Sequence, residues 1–272
     1  MLIRARSIHP LFVLAGLTAI SLAGLGLLPR IPQDQAYHLF ADQRTLLGIP
    51  NFWNVVSNIP FVAVGAVGLA RFRNDVTTIV LFLGFFLTGI GSAYYHWAPS
   101  DGTLFWDRLP MTISFAAIFS LIAQERVGKR IGSILLWPML AIGVISLLVW
   151  LWTDDLRLYF WEQFFPGVVL MALFALFPAR YTHVHYWLIA AGLYALAKVF
   201  EFTDYPIYSL GNVLSGHSLK HLSAAAACFV ILRHFELRRA VPSRIASASP
   251  GNTGTAARKA TRAIIGFPDA SP

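Results

Sequence analysis

Three stretches of this chain place polar side chains among apolar neighbours. They are Gly89-Ile-Gly-Ser92-Ala-Tyr-Tyr-His96, Phe105-Trp-Asp107-Arg-Leu-Pro-Met111 and Gly216-His217-Ser-Leu-Lys-His221. Ser92 and His96 are four residues apart, as are His217 and His221, so each pair shares one face of a helix. An i,i+4 histidine pair brings two imidazoles to one point and suits two ligands of a tetrahedral metal. A third histidine from a neighbouring helix would leave one position open for water, the arrangement of a catalytic zinc site. Blander readings stand beside this one. A His-x3-His pair near a helix end is often interfacial, Asp107 could serve only as a helix N-cap, and paired imidazoles between membrane helices also ligate haem. The single cysteine, Cys228, excludes an internal disulfide and Cys-based zinc sites. Any metal must therefore be held by the 8 His and 13 acidic residues.

The elements that carry these residues are set by composition. Charged residues make up 12% of the 272 and hydrophobic ones 57%, where a typical soluble protein is about 25% charged. A hydrocarbon core of about 30 Å needs about 20 apolar residues per helical crossing. Helices are predicted at roughly 9–28, 52–70, 77–97, 109–124, 131–152, 160–178, 186–202 and 216–233. The turns between them include Arg71-Phe72-Arg73-Asn74-Asp75, Pro99-Ser100-Asp101-Gly102 and Thr153-Asp154-Asp155. The fold class is all-α, a polytopic transmembrane helix bundle.

Basic residues orient the bundle. With the N-terminus in the cytoplasm, Arg4, Arg6, Arg71, Arg73, Arg126, Lys129, Arg130, Arg180 and Arg233 fall on that side, with six more in the C-terminal tail. Arg30, Arg44, Arg108 and Arg157 fall on the other face. Eight spans with both termini inside follow, and the net charge of +8 reads as this bias plus a basic tail near anionic lipid. No basic stripe with interleaved aromatics suggests nucleic acid. In this orientation Ser92, His96, Asp107, His217 and His221 share one depth on the non-cytoplasmic side. That fits a periplasm-facing site in a bacterial inner membrane, our expectation, or a luminal site in a eukaryote. Three domains are expected. Residues 1–30 form an N-terminal transmembrane helix or signal anchor, residues 50–235 the seven-helix membrane domain, and residues 240–272, rich in Ala, Ser, Gly and Pro, a disordered cytoplasmic tail. His9, His38, His183 and His185 read as solvated or interfacial. Trp53, Trp97 and Trp106 read as interfacial anchors. Glu201 and Asp204 are candidates to support the site or cap a helix. Gly84, Gly89 and Gly91 are read as packing residues that bring the third helix against the last.

At these residues the chain resembles the alkaline ceramidase family, within a superfamily of seven-helix membrane hydrolases that includes adiponectin-receptor-like proteins. The resemblance is carried by Phe52-Trp-Asn-Val-Val-Ser-Asn58, Gly91-Ser92-Ala-Tyr-Tyr-His96, Asp107-Arg-Leu-Pro-Met111 (similar to a family Asp-Glu-Leu-Pro-Met) and His217-x3-His221. It spans about residues 51–235 and implies a zinc ion on His96, His217 and His221, with Ser92 and Asp107 completing the catalytic group. It implies an amidase in which zinc activates water, Asp107 is general base and then acid, and Ser92 helps stabilise the oxyanion. The substrate would be ceramide or a related N-acyl lipid drawn from the bilayer. A receptor-like or sensor protein of the same scaffold with structural zinc is the alternative. The chain departs from the family in its extra N-terminal apolar segment and at the family's calcium site. Asn51 stands where the family has a Glu, and the preceding loop offers one carboxylate, Asp42. Ca²⁺ takes 6–8 oxygen ligands. Asp42, Asn51 and Asn54 could contribute, but calcium is doubtful.

Overall fold

The computed structural model describes residues 10–241, which contain helices and turns but no strand. The helices are α1 (Pro10–Gly24), α2 (Phe52–Val56), α3 (Ile59–Arg71), α4 (Val76–Trp97), α5 (Asp101–Arg126), α6 (Lys129–Thr153), α7 (Arg157–Leu176), α8 (His185–Phe202), α9 (Asp204–Ser209) and α10 (Gly216–Leu237). Short 3₁₀ turns follow α1 at Leu25–Leu27 and stand at Gln35–His38. All these helices belong to one compact unit that ends at Arg239.

Among the described residues, five segments are long and apolar enough to cross a membrane: α2 with α3, then α4, α5, α6 and α7. Helices α8 and α10 have 18 and 22 residues, about 27 and 33 Å. They are less apolar because α10 carries His217, Lys220, His221 and His234, and α8 carries Lys198 and Glu201. Helix α1 has 15 residues, about 22 Å. The expected eight crossings thus become five segments of full length and apolarity, two polar ones and one short one. Arg4, Arg6, His9 and the tail from residue 242 lie outside the described residues.

Local chemistry sets the ends of the helices. Asp75 accepts the Thr78 amide to start α4, and Ser100 and Thr103 form a reciprocal capping box at α5. That box starts α5 eight residues before the predicted position, so Pro99-Ser100-Asp101-Gly102 is a cap rather than a free turn. Asp107 then lies inside the helix, and the N-cap reading of Asp107 is overturned. Ser215 accepts the Ser218 amide to start α10. The predicted 52–70 helix breaks at Ser57-Asn58, and the short α9 lies in the stretch read as a connection.

Helix α4 sits at the centre of the packing, between α5 and α3, while α10 packs on α8 and α3. Leu81, Phe82 and Phe85 of α4 join Leu121 and Ile122 of α5 and Ile231 and Phe235 of α10 in the main core. Glycines set the closeness of α4. A methyl group on Gly91 would lie 2.0 Å from the Trp106 carbonyl oxygen, one on Gly84 2.4 Å from Ser114 Oγ, and one on Gly89 2.6 Å from Val62. Close packing is therefore as expected, but it is directed at α5 and α3 rather than at the last helix. Pro110 lies inside α5 and removes the usual helical donor to the Trp106 carbonyl, at the point where Gly91 approaches. This contact brings the turn bearing Ser92 against the turn bearing Asp107.

Candidate metal centre

His96 ends α4, and His217 and His221 lie on the first turns of α10. All three are buried, and one ligand nitrogen from each lies within 4.8 Å of the other two. His96 Nε2 is 3.1 Å from His221 Nε2 and 3.3 Å from His217 Nε2. Two nitrogens each 2.0–2.1 Å from a tetrahedral zinc are separated by about 3.3 Å, so the spacing and the donor type both suit that ion. Nitrogens 3.1 and 3.3 Å apart leave too little room for a haem iron held between two axial imidazoles, which disfavours a bis-His haem.

The surrounding hydrogen bonds orient the imidazoles. His221 Nδ1 is 2.8 Å from Ser57 Oγ, and the Ser57 hydroxyl donates to the Asn54 carbonyl at 3.2 Å. With the hydroxyl proton used there, Ser57 accepts from Nδ1–H, and the Nε2 lone pair of His221 faces the cluster. The Asn54 side chain holds this segment against α10, its Oδ1 accepting from Ser218 Oγ at 2.8 Å. The Asp204 carboxylate accepts the His217 backbone amide at 2.7 Å through one oxygen and the Ala41 amide at 2.9 Å through the other. Asn51 Nδ2 donates to the His96 carbonyl at 2.9 Å. His96 Nδ1 has no partner among the described residues.

A loop outside the bundle closes the cluster. Phe40, 2% exposed, places its ring 4.6 Å from that of His96 and 4.7 Å from that of His217. Arg44 holds this loop in shape. Its Nε and Nη2 donate to the two Asp42 oxygens at 2.8 and 2.6 Å, and Nη2 also reaches the Val213 carbonyl at 2.7 Å. The Asp42 hydrogen bond holds the Arg44 guanidinium above its usual pKa. The Asp42 carboxylate, the Asn51 amide nitrogen and the Asn54 side chain therefore each have partners within the protein.

Asp107 faces Ser92 across the α4–α5 contact, with Lys220 as a charged neighbour. Lys220 Nζ pairs with Glu201 at 3.1 Å, as does Lys198 at 2.9 Å. The Tyr37 hydroxyl donates to Glu201 at 3.1 Å. Burial first, and then the Glu201 charge, push the Tyr37 phenol well above its usual pKa, so it remains a donor.

Ser92, His96, Asp107, His217 and His221 are thus gathered at one end of the helices. One other reading is refined: His38 is not simply solvated, because its ring nitrogens contact Tyr95 Oη at 2.9 Å and Asp101 Oδ1 at 3.0 Å. Arg108, counted among the basic residues of the non-cytoplasmic side, is buried inside the bundle, 5% exposed. His183 and His185 are exposed, and Trp97 and Trp106 are about half exposed. The roles of Ser57, Phe40 and Arg44 were not anticipated. For Ser57 a signal was present: Asn54, Ser57 and Asn58 fall at helical spacing within an apolar run.

A search of curated proteins finds no match. The family model described as Ceramidase matches residues 48–200, more than half of the chain. The matched region contains Ser92, His96 and Asp107 and stops short of His217 and His221, which the fold brings to the same place. With its apolar spanning helices and its three-histidine cluster, the chain belongs to the ceramidase family, membrane enzymes that hydrolyse ceramide.

Proposed function

We propose that this chain is a zinc-dependent membrane amidase that cleaves the amide bond of ceramide or a related N-acyl lipid to free fatty acid and amine. The observation that carries the reading is the convergence of three buried imidazoles, with His96 Nε2 at about tetrahedral spacing from the Nε2 atoms of His217 and His221. His96, His217 and His221 would hold the ion, which supplies Lewis-acid activation of water and of the amide carbonyl.

The chain's own residues do the rest. Ser57 fixes the His221 tautomer, and Asp204 fixes the backbone turn that carries His217. The Asp107 carboxylate takes the proton from the attacking water and returns it to the departing amine nitrogen, so that the amine leaves neutral. The Ser92 hydroxyl donates to the oxygen that gains charge as the carbonyl carbon becomes tetrahedral. Phe40 and Tyr95 wall off bulk water and leave the site in a low-dielectric setting, where such a donor acts more strongly.

The seven-helix domain 50–235 is the catalytic unit in this reading. The excess of basic residues at the opposite ends of the helices supports an N-in, C-in orientation with the site at the non-cytoplasmic side, in a bacterial inner membrane. An amide just below a lipid headgroup lies at that depth. The test is zinc content together with fatty-acid release from short-chain ceramide, in wild type and His217→Ala. About one zinc per chain and amide cleavage, both lost in the variant, support the reading. Zinc with no cleavage of any N-acyl lipid would replace it with the receptor-like alternative.

A further inference from the structure

Arg108 follows Asp107 in α5 and is 5% exposed. Among the described residues its side chain has no hydrogen bond or ion pair, and Nη1 is fully buried without a partner. Three rings surround it. Its guanidinium carbon lies 4.4 Å from the Trp150 ring of α6, 4.7 Å from the Tyr159 ring of α7 and 5.6 Å from the Tyr37 ring. Aromatic faces attract a cation, but they accept no hydrogen bond of the strength its N–H groups form with an anion. A buried cation without a hydrogen-bonded counter-charge is unfavourable, and the planar guanidinium fork matches a carboxylate.

The chain offers no such carboxylate. Asp101 contacts His38 and Gln35, Asp155 binds Arg157, and Glu201 binds Lys198, Lys220 and Tyr37. Asp107 faces Ser92. Glu162 has no hydrogen bond to Arg108 and lies by Gly143, which packs on Thr112, one turn further along α5. The cage also adjoins the reacting groups, because Arg108 is next to Asp107 and Tyr37 links it through Glu201 to Lys220, the neighbour of His221.

We propose that Arg108 binds a carboxylate carried by the lipid in this site, an inference that rests on the amidase reading above. Two lipids present that group: the fatty acid released by hydrolysis, and an N-acyl amino acid with the acid on its amine half.

The test uses the full chain in detergent, with Arg108→Met as the main variant and calorimetric titration of laurate and of dodecanol, which has the same chain without the carboxylate. Arg108→Met is expected to fold with a thermal midpoint at or above that of wild type, because an apolar residue replaces an unpaired buried charge. Laurate affinity is expected to fall about tenfold or more, with dodecanol affinity unchanged. Hydrolysis of N-lauroylglycine and N-lauroylethanolamine separates the two sources. A KM raised about tenfold for the acid alone assigns the substrate's carboxylate. Unchanged KM values with weaker inhibition by laurate assign the product's. Equal laurate affinity in wild type and variant, or a parallel loss for dodecanol, overturns the proposal. So does a large fall in thermal midpoint that Glu162→Gln restores, which would make Glu162 the counter-charge. In a preparation that cleaves no amide, Arg108-dependent laurate binding still supports the carboxylate site and sinks the amidase reading alone.

Discussion

The Asp204 carboxylate accepts the backbone amide of His217 at 2.7 Å, so a side chain at the start of α9 fixes the first turn of α10. Its other oxygen holds Ala41, next to the phenylalanine that covers the histidines. Asp204→Ala is therefore expected to weaken zinc binding about 10- to 100-fold, the usual effect of losing an outer-shell partner. Zinc titration against a chelator of known affinity measures this. Unchanged affinity would mean that α10 positions His217 unaided.

Ser57 acts on the third ligand. Ser57→Ala removes the acceptor for His221 Nδ1–H and leaves the imidazole free to take either tautomer. A loss of about tenfold or more in zinc affinity is expected, with little change in the thermal midpoint of the zinc-loaded protein. Ser57→Thr, which keeps the hydroxyl, should restore most of the affinity. Equal loss in both variants would point to packing instead.

Asp107 and Ser92 are assigned to proton transfer and oxyanion stabilisation, so their removal should separate chemistry from metal binding. Asp107→Asn is expected to lower kcat about 10²- to 10⁴-fold, and Ser92→Ala about 10²- to 10³-fold, each with zinc content near wild type. Loss of zinc in Asp107→Asn would instead place that carboxylate among the metal's supports.

Calcium should be irrelevant to this enzyme. Arg44 occupies the Asp42 carboxylate with three hydrogen bonds, so a calcium-selective chelator is expected to leave activity and thermal midpoint unchanged. Arg44→Ala is expected to lower the midpoint. A chelator-induced loss in wild type would overturn this account of the loop.

A second acidic clip has a pH signature. The Arg157 hydrogen bonds hold the Asp155 carboxyl below its usual pKa, and Arg157 Nη1 reaches the Leu25 and Leu28 carbonyls at 2.9 and 2.6 Å. A depressed folded-state value gives stability that is fully present above the unfolded value of about 3.9 and is lost as pH falls through the lower folded value. Hydrogen exchange at residues 25–31 should therefore be slow in wild type from pH 7 to pH 5 and quicken only in stronger acid. Asp155→Asn should exchange quickly throughout.

Much of this was legible in the residues. Apolar runs located the long helices, because span length is dictated by bilayer thickness, and i,i+4 spacing placed the histidines on common faces. The start of α5 was missed by eight residues because its first turns, Asp101 to Trp106, mix polar and apolar side chains, and the Ser100 cap outweighed hydropathy. The burial of Arg108 was not legible, because counting basic residues assigns an arginine to a side of the membrane and says nothing of whether it is buried. The packing that puts it between Trp150 and Tyr159 is long-range and leaves no periodic trace. The same holds for the contact of Phe40 with His217 and of Asp204 with Ala41, each between residues far apart in the chain.

His96 and its two partner imidazoles are 121 and 125 residues apart, and the later pair lies on the last helix. During synthesis, a chain that has emerged only as far as α8 carries one ligand and no pocket. An ion held by all three histidines could therefore be acquired only after insertion of the bundle is nearly complete. Such an ion would also have to arrive before, or during, the settling of the Phe40 loop over the histidines. In the zinc reading, maturation thus ends with metal capture.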